Sequence, residues 1–199
     1  MTEALLSISD KEFTQLQRFI YDAAGISLAS SKKPLVCGRL MKRLRHYNFS
    51  SYSDYLRLIT SAGQGAELQT AIDLLTTNET YFFREPKHFE FLAETVVPDH
   101  PAGRSIRIWS AACSSGEEPY SIAMLLEDKL PGKPWQLMAS DISSRVLEQA
   151  RLGRYRMERA QNIPKTYLSK FCLKGVGAQA GHLQVDQRLR NRIEFRAIN

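Results

Sequence analysis

Cysteine is scarce in this chain of 199 residues: Cys37, Cys113 and Cys172 stand far apart, are odd in number and form no CxxC pair. Neither a disulfide framework nor a zinc site is expected from that spacing, and reduced thiols in a cytoplasmic protein are the default expectation. The four histidines are scattered, so no metal is expected. No run of about 18 apolar residues exists, so no membrane-spanning helix is expected. Residues 1–10 carry acids and lack a basic-then-apolar pattern, which argues against a secretory signal. Internal repeats and low-complexity tracts are absent. Acid is missing altogether from Ala23 to Ser53, where Lys32, Lys33, Arg39, Lys42, Arg43 and Arg45 are all basic. Those six charges equal the net charge of +6. A local basic face attracts an anionic partner, whether nucleic acid, anionic lipid or a Glu-rich protein surface.

What is present divides into two grammars, at an ordinary globular composition of 43% hydrophobic and 24% charged residues. Residues 1–77 read as helices only. Ser9 to Glu12 is a capping-box pattern, followed by Phe13, Leu16, Ile20 and Ala24 at helical spacing and by Gly25 as a stop. A second helix is predicted from about Pro34 to His46 with Leu35, Leu40 and Leu44 inward. A third is capped near Ser51 and carries Tyr55, Leu58 and Ile59. A fourth carries Leu68, Ile72 and Leu75. Residues 78–98 form a linker and a helix with Pro86 in its first turn and Phe89, Leu92 and Val96 inward, ended by Pro98 and Pro101. Residues 99–199 alternate: a strand at 106–109, a helix at 119–130, a strand at 135–139 leading to Asp141, and a helix with Val146, Leu147 and Ala150 inward, capped by Ser143 and Ser144. That order begins a doubly wound, Rossmann-like parallel sheet. After a helix at 165–171, a glycine-rich turn and short strands at 183–185 and 192–195 suggest an antiparallel β-subdomain over about 172–195.

Open α/β sheets bind ligands at the carboxyl ends of their strands. The first such end is the small-residue loop Ser110 to Gly116, where Gly116 permits unusual backbone angles. The second is Asp141, 25 residues beyond Gly116, near the spacing at which an acid grips a ribose. The loop holds one glycine rather than GxGxxG, and no Walker A sequence is present. A pyrophosphate cofactor is therefore disfavoured, and S-adenosylmethionine, which has a ribose but no phosphate, fits better. Singly, each residue has a plainer reading. Glu118 could complete a capping box with Ser115, and Asp141 could cap the following helix. Asn78 and Thr80 could be helix-end residues, Arg84 could pair with Glu85, and Tyr81-Phe82-Phe83 could be core.

Three segments, Leu74 to Leu92 (LLTTNETYFFREPKHFEFL), Trp109 to Leu126 (WSAACSSGEEPYSIAMLL) and Ala139 to Tyr155 (ASDISSRVLEQARLGRY), resemble the CheR family of chemotaxis-receptor glutamate methyltransferases. Cys37 to Arg45 (CGRLMKRLR) resembles its helical N-terminal domain, so the likeness covers nearly the whole chain. The resemblance implies an enzyme that transfers a methyl group from S-adenosylmethionine to receptor glutamates, leaving S-adenosylhomocysteine. It implies cofactor contacts at Asn78, Thr80, Arg84, Gly116, Glu117, Glu118, Asp141 and Asn199, with Arg84 nearest the chemistry. It also implies a receptor-facing basic helix (Arg39, Lys42, Arg43, Arg45) and a β-subdomain that docks a receptor's C-terminal peptide in some members. The family continues past Asn199, so the chain is expected to be C-terminally truncated. Other readings left open are a methyltransferase acting on RNA or DNA, a non-catalytic cofactor-sensing or receptor-docking module, and a helical nucleic-acid-binding protein. No NPPY-like motif supports the first of these.

Overall fold

The computed structural model describes residues 7–101 and 103–199. The chain divides into two units, Met1–Thr77 and Asn78–Asn199.

The first unit is helical. Helix α1 (Asp10–Ala24) starts on Ser9, whose hydroxyl accepts from the Glu12 amide while the Glu12 carboxylate accepts from the Ser9 amide. It ends on Gly25 in the left-handed conformation. Helix α2 (Lys33–His46) buries Val36, Leu40 and Leu44. Leu35, expected inward, is exposed, because the buried stripe begins one residue later. Helices α3 (Tyr52–Thr60), capped by Ser51, and α4 (Gly65–Leu75) complete the core with Tyr52, Tyr55, Ile59, Ile72 and Leu75.

A polar network sits inside this core. The Glu67 carboxylate is buried and accepts from Arg43 Nε at 2.8 Å, Arg43 Nη2 at 2.5 Å, Tyr55 Oη at 2.7 Å and Tyr47 Oη at 3.0 Å. Arg39 Nη1 donates to the carbonyls of Leu75 and Thr76, closing the end of α4. Two of the four cations expected to face a substrate, Arg39 and Arg43, are thus committed to holding helices together. Charge spacing along α2 could not reveal an acid 24 residues away. Lys42 and Arg45 remain exposed.

In the second unit, helix α5 (Pro86–Phe91) widens into a π-type turn at Leu92–Val96 and finishes as α6 (Val97–Asp99). Pro98, expected to end the helix, lies inside this last turn. The widened turn, in which the Val97 amide reaches back to the Leu92 carbonyl, relieves the clash a proline ring makes with a regular preceding turn. Strand β1 (Ile106–Ala111), helix α7 (Glu117–Lys129), strand β2 (Trp135–Asp141) and helix α8 (Ser144–Leu152) follow in the expected order.

The later strands depart from expectation. Strands β3 (Arg154–Arg156), β4 (Cys172–Lys174) and β5 (His182–Val185) form an antiparallel sheet in the order β3-β5-β4. Helix α9 (Lys165–Phe171) lies between β3 and β4 in sequence, and the short α10 (Gln187–Arg190) follows β5. Strand β6 (Ile193–Ala197), expected in the hairpin, instead runs parallel to β2, giving the sheet order β1-β2-β6. Its alternation explains the choice. Ile193 and Phe195 join Ile106, Trp135, Leu137 and Ala139 in the core, while Glu194 and Arg196 face outward. The β-subdomain accordingly begins near Arg154 rather than near residue 172.

The Glu67 network makes one prediction. Burial alone would push the Glu67 carboxyl up, but hydrogen bonds from Arg43, Tyr55 and Tyr47 outweigh it and hold it below the usual carboxylate value of 4.5. A carboxyl depressed in the folded state adds stability that is complete above its unfolded value and is lost as pH falls through its folded value. Arg43→Met should cost about 3 kcal/mol in chemical denaturation of the helical unit, because it strands a buried charge. Glu67→Gln should flatten the loss of stability below about pH 4.5. A cost under about 1 kcal/mol for Arg43→Met would match a surface pair and contradict the network's role.

Candidate functional site

The site is built from two strained backbone segments. Among the described residues, five that are not glycine have positive φ: Asn48, Phe83, Glu85, Ala112 and Ser114. Four of these lie in the linker 78–85 or in the loop 112–116 that leaves β1. Such conformations persist only where surroundings enforce them, and they concentrate at functional sites.

The surroundings here are specific. At the end of β2, the Asp141 carboxylate accepts from the Ser114 amide at 2.8 Å and the Ser143 amide at 2.9 Å, so it clasps the loop to its own strand end. The Cys113 amide donates to the Ser140 carbonyl, and the Gly116 amide to the Cys113 carbonyl. Tyr155 Oη donates to the Ser115 carbonyl from β3. Gly116 has φ 94°, and a Cβ there would stand 2.8 Å from the Ala150 Cβ, so only glycine fits. Burial pushes the Cys113 thiol up to about 12, which removes it as a nucleophile at neutral pH. Ser143 occupies the first position before α8, but its hydroxyl makes no cap bond; its amide donates to Asp141.

The linker packs against the same loop. Ser114 Oγ donates to the Asn78 carbonyl at 3.1 Å, the Phe83 amide donates to Ser121 Oγ at 3.0 Å, and Phe82 is wholly buried against Tyr155. Asn78, Gly116 and Asp141 are therefore brought together around the carboxyl ends of β1 and β2, and the Thr80 carbonyl in the same linker accepts from Arg159. Glu118 is exposed and accepts from Ser110 Oγ at 2.6 Å. Arg84 is exposed, donates to the Glu79 carbonyl at 2.9 Å and lies over the Tyr81 ring, with no ion pair to Glu85. Asn199 follows β6, whose residue Ala197 pairs with Asp141.

Glu117 is placed differently from expectation. Its side chain is fully buried, Ser115 Oγ donates to it at 2.6 Å, and Arg159 pairs with it. It is turned into the protein, so it is not open to a ligand. Arg159 has no counterpart in the sequence reading. It lies in a stretch without a motif, and nothing local signals its reach to Thr80, 79 residues away.

The donor set discriminates among cofactors. The amides of Cys113, Ser114 and Gly116 are consumed by protein acceptors rather than aimed outward. A pyrophosphate needs such amides, and it would also meet the exposed Glu118 carboxylate. A phosphate-free nucleoside bearing positive charge suits the same residues, and S-adenosylmethionine is of that kind.

The fold and this site define a Rossmann-like methyltransferase carrying a helical N-terminal unit. Comparisons with known proteins agree. Residues 78–199 match the S-adenosylmethionine-binding domain of CheR methyltransferases, and residues 11–76 match their all-alpha domain. The chain belongs to the CheR methyltransferase family. It is 44% identical to the chemotaxis protein methyltransferase of Escherichia coli K12 over all of this chain and 69% of that protein. It is 42% identical to that of Salmonella typhimurium LT2, covering 98% of this chain and 67% of the relative. It is also 42% identical to chemotaxis protein methyltransferase 2 of Pseudomonas aeruginosa, covering 95% and 68%.

Phe82 supplies a direct check on the linker's packing. Phe82→Ala should lower stability by about 3–5 kcal/mol, the range for emptying a buried aromatic site, and should expose linker amides to hydrogen exchange. Unchanged exchange at residues 79–84 would show that the linker is held by other means.

Proposed function

We propose that this chain methylates glutamate side chains on the helices of chemotaxis receptors, giving methyl esters. The observation that carries the reading is the loop clasped by Asp141, with three of its amides on protein acceptors, and packed on it a linker that carries an exposed, aromatic-backed Arg84. Asn78, Thr80, Gly116, Glu118, Asp141 and Asn199 would hold S-adenosylmethionine. When bound, that cofactor supplies an electrophilic methyl group on a sulfonium that is already a good leaving group.

The protein's own contribution is alignment. A receptor glutamate is a carboxylate at neutral pH and needs no general base. Orientation of the kind a rigid cleft provides is worth up to about 7–11 kcal/mol in favourable intramolecular models. Arg84 offers a planar pair of donors to a carboxylate, whether that of the cofactor or of the incoming glutamate. Its guanidinium is already oriented by the Glu79 carbonyl and the Tyr81 ring.

Substrate attraction falls to the exposed part of α2, Lys42 and Arg45, now that Arg39 and Arg43 are assigned to packing. An acidic helix surface is drawn to such a face, and salt screens the attraction. The β-subdomain is a further candidate contact for a receptor's C-terminal peptide. Chemistry of this kind belongs to the cytoplasmic side of a receptor.

The test is transfer of labelled methyl from S-adenosylmethionine to a purified receptor cytoplasmic fragment, with release of the label as methanol in base. Arg84→Ala should reduce turnover at least tenfold without lowering the melting temperature. Lys42→Glu with Arg45→Glu should raise the receptor KM several-fold at low salt and leave cofactor binding unchanged. Label that is stable to base, or equal turnover with Arg84→Ala, would contradict the reading.

A further inference from the structure

Outside the residues already assigned, one charged side chain touches both walls of the cofactor site. Arg159 lies in the short turn Met157–Ala160 that follows β3. Its Nη2 donates to the Thr80 carbonyl of the linker at 2.7 Å and pairs with the carboxylate of Glu117, the first residue of α7. Glu117 is 0% exposed. Its second carboxylate oxygen takes the Ser115 hydroxyl of the loop, and its carbonyl takes the Ser121 hydroxyl, which in turn accepts the Phe83 amide. Four residues before Arg159, in β3, Tyr155 holds the Ser115 carbonyl and packs edge-on against Phe82. Linker and loop are thus each fastened twice by one short segment.

A buried carboxylate is tolerated only with a partner. A helix start such as that of α7 has no need to bury one. Burial is explained if the pair's task is to hold Thr80 at a fixed distance from the loop, since backbone carbonyls on irregular segments are otherwise mobile. Resting on the reading of this cleft as a cofactor site, we propose that Arg159 is a positioning residue. Through Glu117 and Thr80 it locks the linker onto the loop before S-adenosylmethionine binds. It does not touch the reacting atoms.

The test compares the unaltered chain with R159M/E117Q, in which no buried charge is left without a partner and the Thr80 bond is lost. S-adenosylhomocysteine binding is measured by calorimetry, and methyl transfer to the receptor fragment by initial rates. The double variant should melt within a few degrees of the unaltered chain and bind S-adenosylhomocysteine at least tenfold more weakly. Its KM for S-adenosylmethionine should rise accordingly, with kcat changed less than twofold at saturation. Binding within twofold of the unaltered chain would overturn the proposal, leaving the pair a packing feature only. Hydrogen exchange on the unaltered, cofactor-free chain gives a second reading that needs no variant. The Phe83 amide should be protected, and exchange at the rate of an open chain would overturn preorganisation. If the unaltered chain binds no S-adenosylhomocysteine, it is the cofactor reading that fails, and a protected Phe83 amide would still show the linker held on α7.

Discussion

One carboxylate ties the ends of two neighbouring strands together, and the site depends on it. Asp141 ends β2 and captures the amide of Ser114 in the loop that leaves β1. That bond holds Ser114 in a left-handed conformation that a serine otherwise avoids. With the loop fixed, the amides of Cys113, Ser114 and Gly116 close on protein acceptors, Gly116 lies against Ala150, and the linker has a defined surface to pack on. The choice of cofactor follows from the same bond. A loop with three amides spent internally is poorly equipped to cradle phosphate, whereas a nucleoside without phosphate asks nothing of them.

The linker is the second constraint. It carries its aromatic residue inward at Phe82 and its guanidinium outward at Arg84, an alternation that the strained Phe83 and Glu85 backbones make possible. The strain is offset by buried contacts on both sides: Phe82 in the core, the Phe83 amide on Ser121, and the Thr80 carbonyl on Arg159. Chemistry-bearing side chains thus stand on irregular backbone while the regular elements beneath supply rigidity.

Much of this was legible in the residues, and the parts that were not share a cause. Helix starts at Ser9 and Ser51, the stop at Gly25 and the strands at 106 and 135 were written in local patterns of capping and periodicity. The loop and Asp141 stood out because a turn and a terminal acid lie close along the chain. The failures were long-range. Arg39 and Arg43 looked like surface charge because their acceptors lie 24 to 37 residues away. The last strand looked like half of a hairpin because alternation fixes a face and not a partner. Three-residue strands such as β3 and β4 are too short to show a period at all. Pro98 appeared to stop a helix because a π-type turn leaves no mark in sequence.

The central claim is that this cleft accepts S-adenosylmethionine and refuses phosphate-bearing cofactors. Titration calorimetry with S-adenosylhomocysteine, NAD and ATP tests it most directly. The account predicts one-to-one binding of S-adenosylhomocysteine, largely lost in Asp141→Ala, and no measurable heat from NAD or ATP. Tighter binding of NAD or ATP than of S-adenosylhomocysteine, or equal binding by Asp141→Ala, would contradict it.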